Sequence, residues 1–567
     1  MNRRIATSLF CCLLLIPHGL WPEETDQSAK LPSEATVREW QSRKYGLFIH
    51  FGLYSVLGGV WKGQEFAGNY SEQIQSDAHI PNEDYAQLAA RFDPEKWNPD
   101  AIVQLAQDAG MKFIVLTAKH HDGFSLFRTR VSTYNAVDGA AYKRDIVKSL
   151  ADACARHHMP FGVYYSTIDW HFGDIADHRN DNPISKAHED FNVAQLRELM
   201  TGYGPITEIW FDMGHPTKVQ SRRFANTVHQ LQPECMISGR IWNSEGDFME
   251  MGDDQIPDYI LDEPWESPAS IYPQTWGYRS WLQRTNLEKK IQEHILRLVS
   301  VVSRGGNYIL NIGPMGDGSV VPFEADVLRG TGAWLNRNGE AVYATQPQPF
   351  RKLDFGYATA KQDRLFLFLE HPPENRRLRL PGFQNHIRRA YLLGDPSQTP
   401  ISFDDVQKFL TVPESVTKEF LPVVAVEFDA PIQVVQPAVA PQADGTIVLT
   451  PETADRFYNT NGEGYYDPPA LRKQEWHFAV DQPGFYRIET SYKPGKFAQL
   501  LDLTIAGKVL KANAYGDNPG PAPIGIIELP ASRDITLVAN PSSPAERGEK
   551  LRAEIDRVSL VFTGSSL

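Results

Sequence analysis

Cysteine is scarce in this chain: four residues among 567, two of them adjacent at positions 11 and 12. The other two, Cys154 and Cys235, are too few for a disulfide scaffold or a cysteine-rich metal site. Basic residues are outnumbered, 56 Lys and Arg against 70 Asp and Glu, for a net charge of −14. A nucleic-acid surface needs clustered Lys and Arg, so no nucleic-acid partner is expected. Past the N-terminus no stretch is apolar enough for a membrane helix. No glycine-rich phosphate loop follows the first strand-like segment, which disfavours a dinucleotide fold. No His-x-His or His-Glu-x-x-His pattern occurs, which disfavours a metal centre. No internal repeat or long low-complexity tract is present.

What is present begins with a leader. Arg3 and Arg4 precede the apolar run Ile5-Ala-Thr-Ser-Leu-Phe-Cys-Cys-Leu-Leu-Leu-Ile16, and the chain turns polar at Glu23. That is the charge-then-hydrophobe layout of a secretory signal, and the run is too short to span a bilayer. Residues 1–30 are expected to be signal peptide and N-terminal linker, taking Cys11 and Cys12 with them and leaving a secreted or periplasmic soluble protein. Charged residues at 22% and hydrophobic ones at 42% fit a globular chain, and its length calls for two to four domains.

From residue 31 to about 345, short apolar strands alternate with helical patterns. The strand candidates are Gly46–Gly52, Lys112–Thr117, Pro160–Tyr165, Ile206–Asp212, Met236–Ser238 and Asn307–Asn311, with helix-like segments such as Pro99–Ala109 and Asp145–His157 between them. This alternation predicts a (β/α) barrel. After about residue 346 the texture becomes all-β: Arg364–Leu369 and Arg377–Leu380 read as strands up to about residue 436. A Pro/Ala/Gln-rich linker, Val435–Gln442, follows. Residues 443–567 then supply Gly484–Thr490, Leu501–Ile505 and Val558–Phe562. Two β-sandwiches are expected after the barrel, the last of them a candidate carbohydrate-binding module or a brace.

In a (β/α) barrel, reactive groups gather at the carboxyl ends of the strands. Here those ends offer His50, then Lys119-His120-His121-Asp122, then Tyr164-Tyr165, Asp212, Arg240 and Trp242, with Trp265-Glu266 and Trp276-Gly277-Tyr278 further on. Histidines, aromatics, an arginine and carboxylates on one rim describe a site for a small polar ligand with an apolar face, which is a sugar. Each residue has a plainer reading. Asp212 can cap a helix or form a turn, His50 or His121 can be a satisfied structural histidine, and Trp276 can be core. His120 and His121, as neighbours on a strand, would point to opposite faces, which disfavours metal further.

The motifs Gly46-Leu-Phe-Ile-His-Phe-Gly52, Thr117-Ala-Lys-His-His-Asp-Gly-Phe124, Ile209-Trp-Phe-Asp212, Trp265-Glu266 with Trp276-Gly-Tyr278, and Gly305-Gly-Asn-Tyr-Ile-Leu-Asn-Ile-Gly-Pro314 with Asp317-Gly318 occur in this order. Together they resemble the α-L-fucosidases of glycoside hydrolase family 29, over about residues 36–345 and weakly into the first β-sandwich. The resemblance implies a barrel followed by a β-sandwich and a retaining mechanism without metal or organic cofactor. It makes Asp212 the nucleophile. It also implies that His50, His120, His121, Tyr165 and Arg240 bind sugar hydroxyls while Trp61, Glu65 and Trp276 enclose the sugar. Around Trp61 and Glu65 the match is loose, because Phe66 stands where the family has Trp or Tyr.

The second carboxylate is less determined. The family's acid/base precedes an Ile-Pro pair, and alignment back from Ile256-Pro257 puts it at Asp253, a shorter acid than the usual Glu. Glu250, Asp254 and Glu266 compete with it. The expectation is an exo-acting retaining α-L-fucosidase acting on fucosylated oligosaccharides or polysaccharides. Two other readings stay open: a catalytically silent fucose-binding protein, and an α-L-galactosidase of the same mechanism.

Overall fold

The computed structural model describes residues 31–566, apart from 68–69, 174–176, 258, 262, 274, 460–469, 497 and 543–552. The leader expected over residues 1–30 lies outside the described residues.

Eight parallel strands form one curled sheet: β1 (Tyr45–Ile49), β2 (Ile114–Lys119), β3 (Phe161–Ser166), β4 (Glu208–Asp212), β5 (Met236–Ile237), β6 (Met249–Glu250), β7 (Trp265–Ser270) and β8 (Asn307–Ile312). Their spatial order is β5-β4-β3-β2-β1-β8-β7-β6. The edges β5 and β6 meet through one parallel bridge between Ser238 and Phe248, supported by the Asp247 N–H donating to the Ile237 carbonyl at 2.7 Å. Sequence pattern picks out six of these strands. The two it does not show, β6 and β7, carry Glu, Pro and Ser, residues with little intrinsic strand preference; their place comes from the ladder with β8, where Glu266 pairs with Asn307 and Ser267 with Tyr308.

The helices of ten residues or more are α1 (Glu34–Arg43), α2 (Pro99–Asp108), α3 (Ile146–Arg156), α4 (Lys186–Gly202), α5 (Lys218–Leu231), α6 (Leu287–Val302) and α7 (Pro322–Asn338). Local chemistry sets several of their starts. Asn98 accepts the Ala101 N–H ahead of Pro99, Asp145 accepts that of Lys148, and Thr217 and Gln220 make a reciprocal capping box.

Both faces of a parallel barrel strand are buried, so side chains divide by parity. Leu47, Ile114, Val163, Ile209 and Leu310 pack outward with the helices. Phe48, Val115, Tyr164, Trp210 and Ile309 fill the barrel interior, joined by Trp40, Phe113, Met236, Phe248 and Trp276. Along β4 this parity puts Glu208, Trp210 and Asp212 on the inner side at successive levels.

The remaining chain is antiparallel β. A four-stranded sheet (Gly356–Lys361, Arg364–Leu369, Val423–Phe428, Ile387–Leu392) and a three-stranded one (Arg377–Arg379, Phe409–Thr411, Ser402–Asp404) share a core of Leu365, Leu367, Leu378, Leu410 and Val426. From Ile447 onward, a four-stranded and a five-stranded sheet enclose a separate core that includes Trp476, Phe478, Ile488, Leu503, Leu537 and Leu560. Val439, just before this last unit, already bonds to it, through His477 and Ala479.

Candidate active site

The inner residues at the carboxyl end of the barrel line a cavity. Its walls carry His50, Glu72, His120, His121, Asp212, Arg240, Asp253 and Tyr70, with apolar surface from Phe48, Trp210, Met213, Pro268 and Trp276.

Asp212 ends β4 and is 6% exposed. Its Oδ2 accepts from the Tyr164 hydroxyl at 2.6 Å and its Oδ1 from Arg240 Nη1 at 3.1 Å. Burial pushes the Asp212 carboxyl up from its ordinary value, and Arg240 and Tyr164 oppose that rise. Arg240 lies on the single helical turn Gly239–Ile241 after β5. Its Nη2 donates to Asp253 Oδ1 at 2.8 Å, so one guanidinium bridges two carboxylates. Asp253 Oδ2 also accepts from Tyr70 at 3.2 Å and from Trp276 Nε1 at 3.3 Å. Burial acts to raise Asp253, but Arg240 and these donors hold it below the ordinary carboxylate range.

The three histidines are held neutral. Burial lowers His50 to about 4 and His121 to about 3, and takes His120 well below its ordinary value. His50 Nδ1 is 2.7 Å from Asn311 Oδ1, while the Asn311 amide donates to the Trp276 carbonyl, so His50 carries its proton on Nδ1 and turns Nε2 to the cavity as an acceptor. His121 Nδ1 bonds Ser166 Oγ at 2.7 Å, whose hydroxyl donates to the Ile168 carbonyl; His121 Nε2 is 3.8 Å from Asp212 Oδ2. Both His120 and His121 face the cavity with ring centroids 4.0 Å apart. Opposite faces were expected of strand neighbours, but β2 ends at Lys119 and the chain turns there. Among the described residues no group of three or more His, Cys, Asp or Glu is disposed to hold a metal ion.

Neutral acceptors, a cation between two acids, indole and phenol donors and an apolar wall meet in one cavity. The family model described as alpha-L-fucosidase matches residues 22–340, more than half of the chain. The chain belongs to the α-L-fucosidase family. Human tissue α-L-fucosidase is 32% identical over 394 residues, covering 65% of this chain and 84% of the human protein. Among solved structures, a family 29 α-L-fucosidase of Bacteroides thetaiotaomicron, trapped as a covalent intermediate with 2-fluoro-fucosyl fluoride, is 27% identical at a TM-score of 0.63, covering 71% of this chain and 98% of that one. An α-L-fucosidase of Vibrio sp. strain EJY3 is 24% identical at a TM-score of 0.68 over 94% of this chain and 98% of its own, a likeness of fold.

Against the residues carried over from family motifs, the geometry makes four corrections. Tyr165 points outward from β3, its hydroxyl 2.8 Å from Asn192 Oδ1 and Gln195 Oε1; the tyrosine at Asp212 is Tyr164, the inward neighbour. Glu266 lies one level below the cavity, where its Oε1 accepts from Trp210 Nε1 at 2.8 Å. Pro268, two residues on along the same face, is what lines the wall. Trp61 and Glu65 belong to a small hairpin (Val60–Trp61 with Gln64–Glu65); Trp61 packs half-buried on the barrel, Glu65 is exposed, and neither lines the cavity. The acid in that wall is Glu72, seven residues later, on the turn Ser71–Gln73. Its Oε2 accepts the N–H groups of Trp276 and Gly277 at 3.3 and 2.8 Å, and burial raises it to about 7. Of the other competing acids, Asp254 is turned to Ser270 and Arg297, and Glu250 lies on β6 away from the cavity lining, so Asp253 alone of the four lines the cavity.

Proposed function

We propose that this chain is an exported, exo-acting retaining α-L-fucosidase, with Asp212 as nucleophile and Asp253 as acid/base. The observation that carries the reading is the Asp212–Arg240–Asp253 bridge in the wall of the cavity. Arg240 presents the two carboxyls on two nitrogens of one guanidinium, which suits the short separation a retaining glycosidase requires, about 5–5.5 Å. The covalent intermediate trapped in the Bacteroides relative favours a hydrolase over a silent sugar-binding protein.

In the first step Asp212 attacks the anomeric carbon as the glycosidic C–O bond breaks, and the departing oxygen takes the proton of Asp253. In the second, water gives a proton to Asp253 and attacks the same carbon, releasing fucose and the Asp212 carboxylate. Arg240 holds Asp253 ionised before substrate enters, so Asp253 takes up a proton from solvent before it acts as the acid. His50 Nε2 and His121 Nε2 accept from sugar hydroxyls, as does Glu72 when ionised; Trp276, Phe48 and Trp210 cover the apolar face.

The test is hydrolysis of an aryl α-L-fucoside followed by proton NMR. The α-anomer of fucose should form first. Formation of the β-anomer would exclude retention, fucose binding without turnover would leave a sugar-binding protein, and faster release from the aryl α-L-galactoside would move the substrate. Secretion of the full chain with loss of the first ~30 residues, read by N-terminal sequencing, tests the leader.

A further inference from the structure

Three acids that the proposed reaction does not use meet inside the barrel, below the cavity: Glu208 on β4, Glu250 on β6 and Glu266 on β7. Glu208 and Glu266 are fully buried and Glu250 partly so, and each leaves one oxygen without a partner among the described residues: Glu208 Oε1, Glu250 Oε1 and Glu266 Oε2. Glu250 faces the Arg240 charge, the Ser238 side chain and backbone N–H groups, all of which oppose the rise that burial causes. Trp40 Nε1 donates to Glu208 Oε2 at 2.5 Å and Trp210 Nε1 to Glu266 Oε1 at 2.8 Å. The nearby Arg43 guanidinium is taken up by Glu39 and Thr207. Gly162 makes room for the group: a Cβ there would meet Glu208 Cγ at 2.8 Å.

An apolar residue would fill such a floor at less cost than an acid. What it could not do is accept the Trp210 N–H. Trp210 lines the cavity, and the Arg240 guanidinium lies over its ring with Cζ 4.9 Å from the centroid, while Phe48 packs at 5.2 Å. The orientation of that indole therefore fixes the plane on which the cation between Asp212 and Asp253 rests. Carboxyls crowded together in a dry interior cannot all ionise. Burial and the neighbouring Glu208 and Glu250 drive the Glu266 carboxyl well above its ordinary range.

We propose that Glu266 is a positioning residue for the reaction: its carboxyl holds the Trp210 indole as the platform for Arg240. The proposal rests on the fucosidase reading, in which Arg240 bridges the nucleophile and the acid/base.

The test uses the full chain as Glu266→Gln, Glu266→Leu and Trp210→Phe, assayed from pH 4 to 9 on an aryl fucoside with a good leaving group and on one with a poor leaving group. Glu266→Leu and Trp210→Phe should each lose about tenfold or more in kcat/KM, by the same factor on both substrates. Glu266→Gln, which keeps an acceptor for the indole and cannot ionise, should recover activity to within about threefold of wild type with both limbs of the pH profile in place. Damage in Glu266→Gln as deep as in Glu266→Leu, a displaced pH limb in Glu266→Gln, or full activity in Trp210→Phe would each overturn the proposal. A loss that grows with leaving-group basicity would make Glu266 a proton donor and overturn it too. Should Glu266→Leu fail to fold, the other two variants decide. Should wild type turn over no fucoside, the fucosidase reading falls by itself, and equilibrium binding of fucose to the same variants reads the positioning role: Glu266→Gln binding as wild type supports it, and Glu266→Gln binding as weakly as Trp210→Phe overturns it.

Discussion

Tyr164 and Tyr165 are adjacent, chemically identical and oppositely employed. The Tyr164 hydroxyl donates to the carboxylate proposed as nucleophile, whereas Tyr165 bonds side chains of α4 behind the sheet. A hydrogen bond to a charged group is worth about 1.5–3 kcal/mol, so Tyr164→Phe should lower kcat/KM by roughly tenfold to a hundredfold. Tyr165→Phe should leave kcat/KM near wild type and act on thermal stability; the reverse ranking would restore the motif-based choice of Tyr165. Asp253 is separated from its rivals in the same way. Asp253→Ala should slow fucosides with poor leaving groups far more than activated aryl fucosides, because only the former need protonation to depart. An equal loss on both would remove Asp253 from the acid role. The histidines, Asp212 and Arg240 were legible in the sequence because each follows directly on an apolar strand. Choosing between two adjacent tyrosines needs the inward parity of β3, which the pairing of Tyr164 with Trp210 and Ser166 with Asp212 fixes and composition does not.

The barrel strands are layered, polar at the rim, aromatic in the middle and acidic at the floor, and β4 shows all three levels in Glu208, Trp210 and Asp212. Strands of continuous apolar residues announced themselves; β7 did not, because Glu266 and Pro268 obey the needs of floor and wall against local propensity. Glu72 was missed for a related reason, since a three-residue helical turn carries no periodicity to mark which of two glutamates turns inward. The acidic floor has a signature in stability. Burial first, then the neighbouring Glu250, raises Glu208 to about 7 from 4.5, against the Trp40 hydrogen bond and Arg43. Between those values the unfolded chain has released a proton the folded chain still holds. Stability from this group is therefore fully present below pH 4.5 and lost as pH rises through 7. Glu208→Gln does not titrate, so its melting temperature relative to wild type should climb between pH 5 and pH 7.5. A constant difference across that range would show that Glu208 ionises normally in the fold.

At the scale of the whole molecule, the texture change near residue 346 and the Pro-rich stretch near 435–442 marked out the all-β regions, because alternating strands with turn residues read differently from βα units. Their relation to the barrel was not legible. The first β region contributes Phe366, Phe368, Tyr391 and Val423 to the barrel's own cluster, whereas the last keeps its core to itself and reaches back through contacts such as Arg351 with Asp455 at 2.7 Å. A chain ending at Gln436 should therefore fold and cleave a small aryl fucoside with kcat/KM within about threefold of full length. Insoluble or inactive protein would show that the last unit braces the barrel. The central claim is that catalysis passes through Asp212, and the most direct measurement is made on Asp212→Gly with an activated aryl α-L-fucoside. Hydrolysis should fall by at least about a thousandfold, roughly 4 kcal/mol of barrier. Added sodium azide should restore turnover, giving the β-L-fucosyl azide, because the anion attacks from the space the carboxylate vacated. A rate close to wild type, or turnover restored with the α-azide as product, would contradict the account.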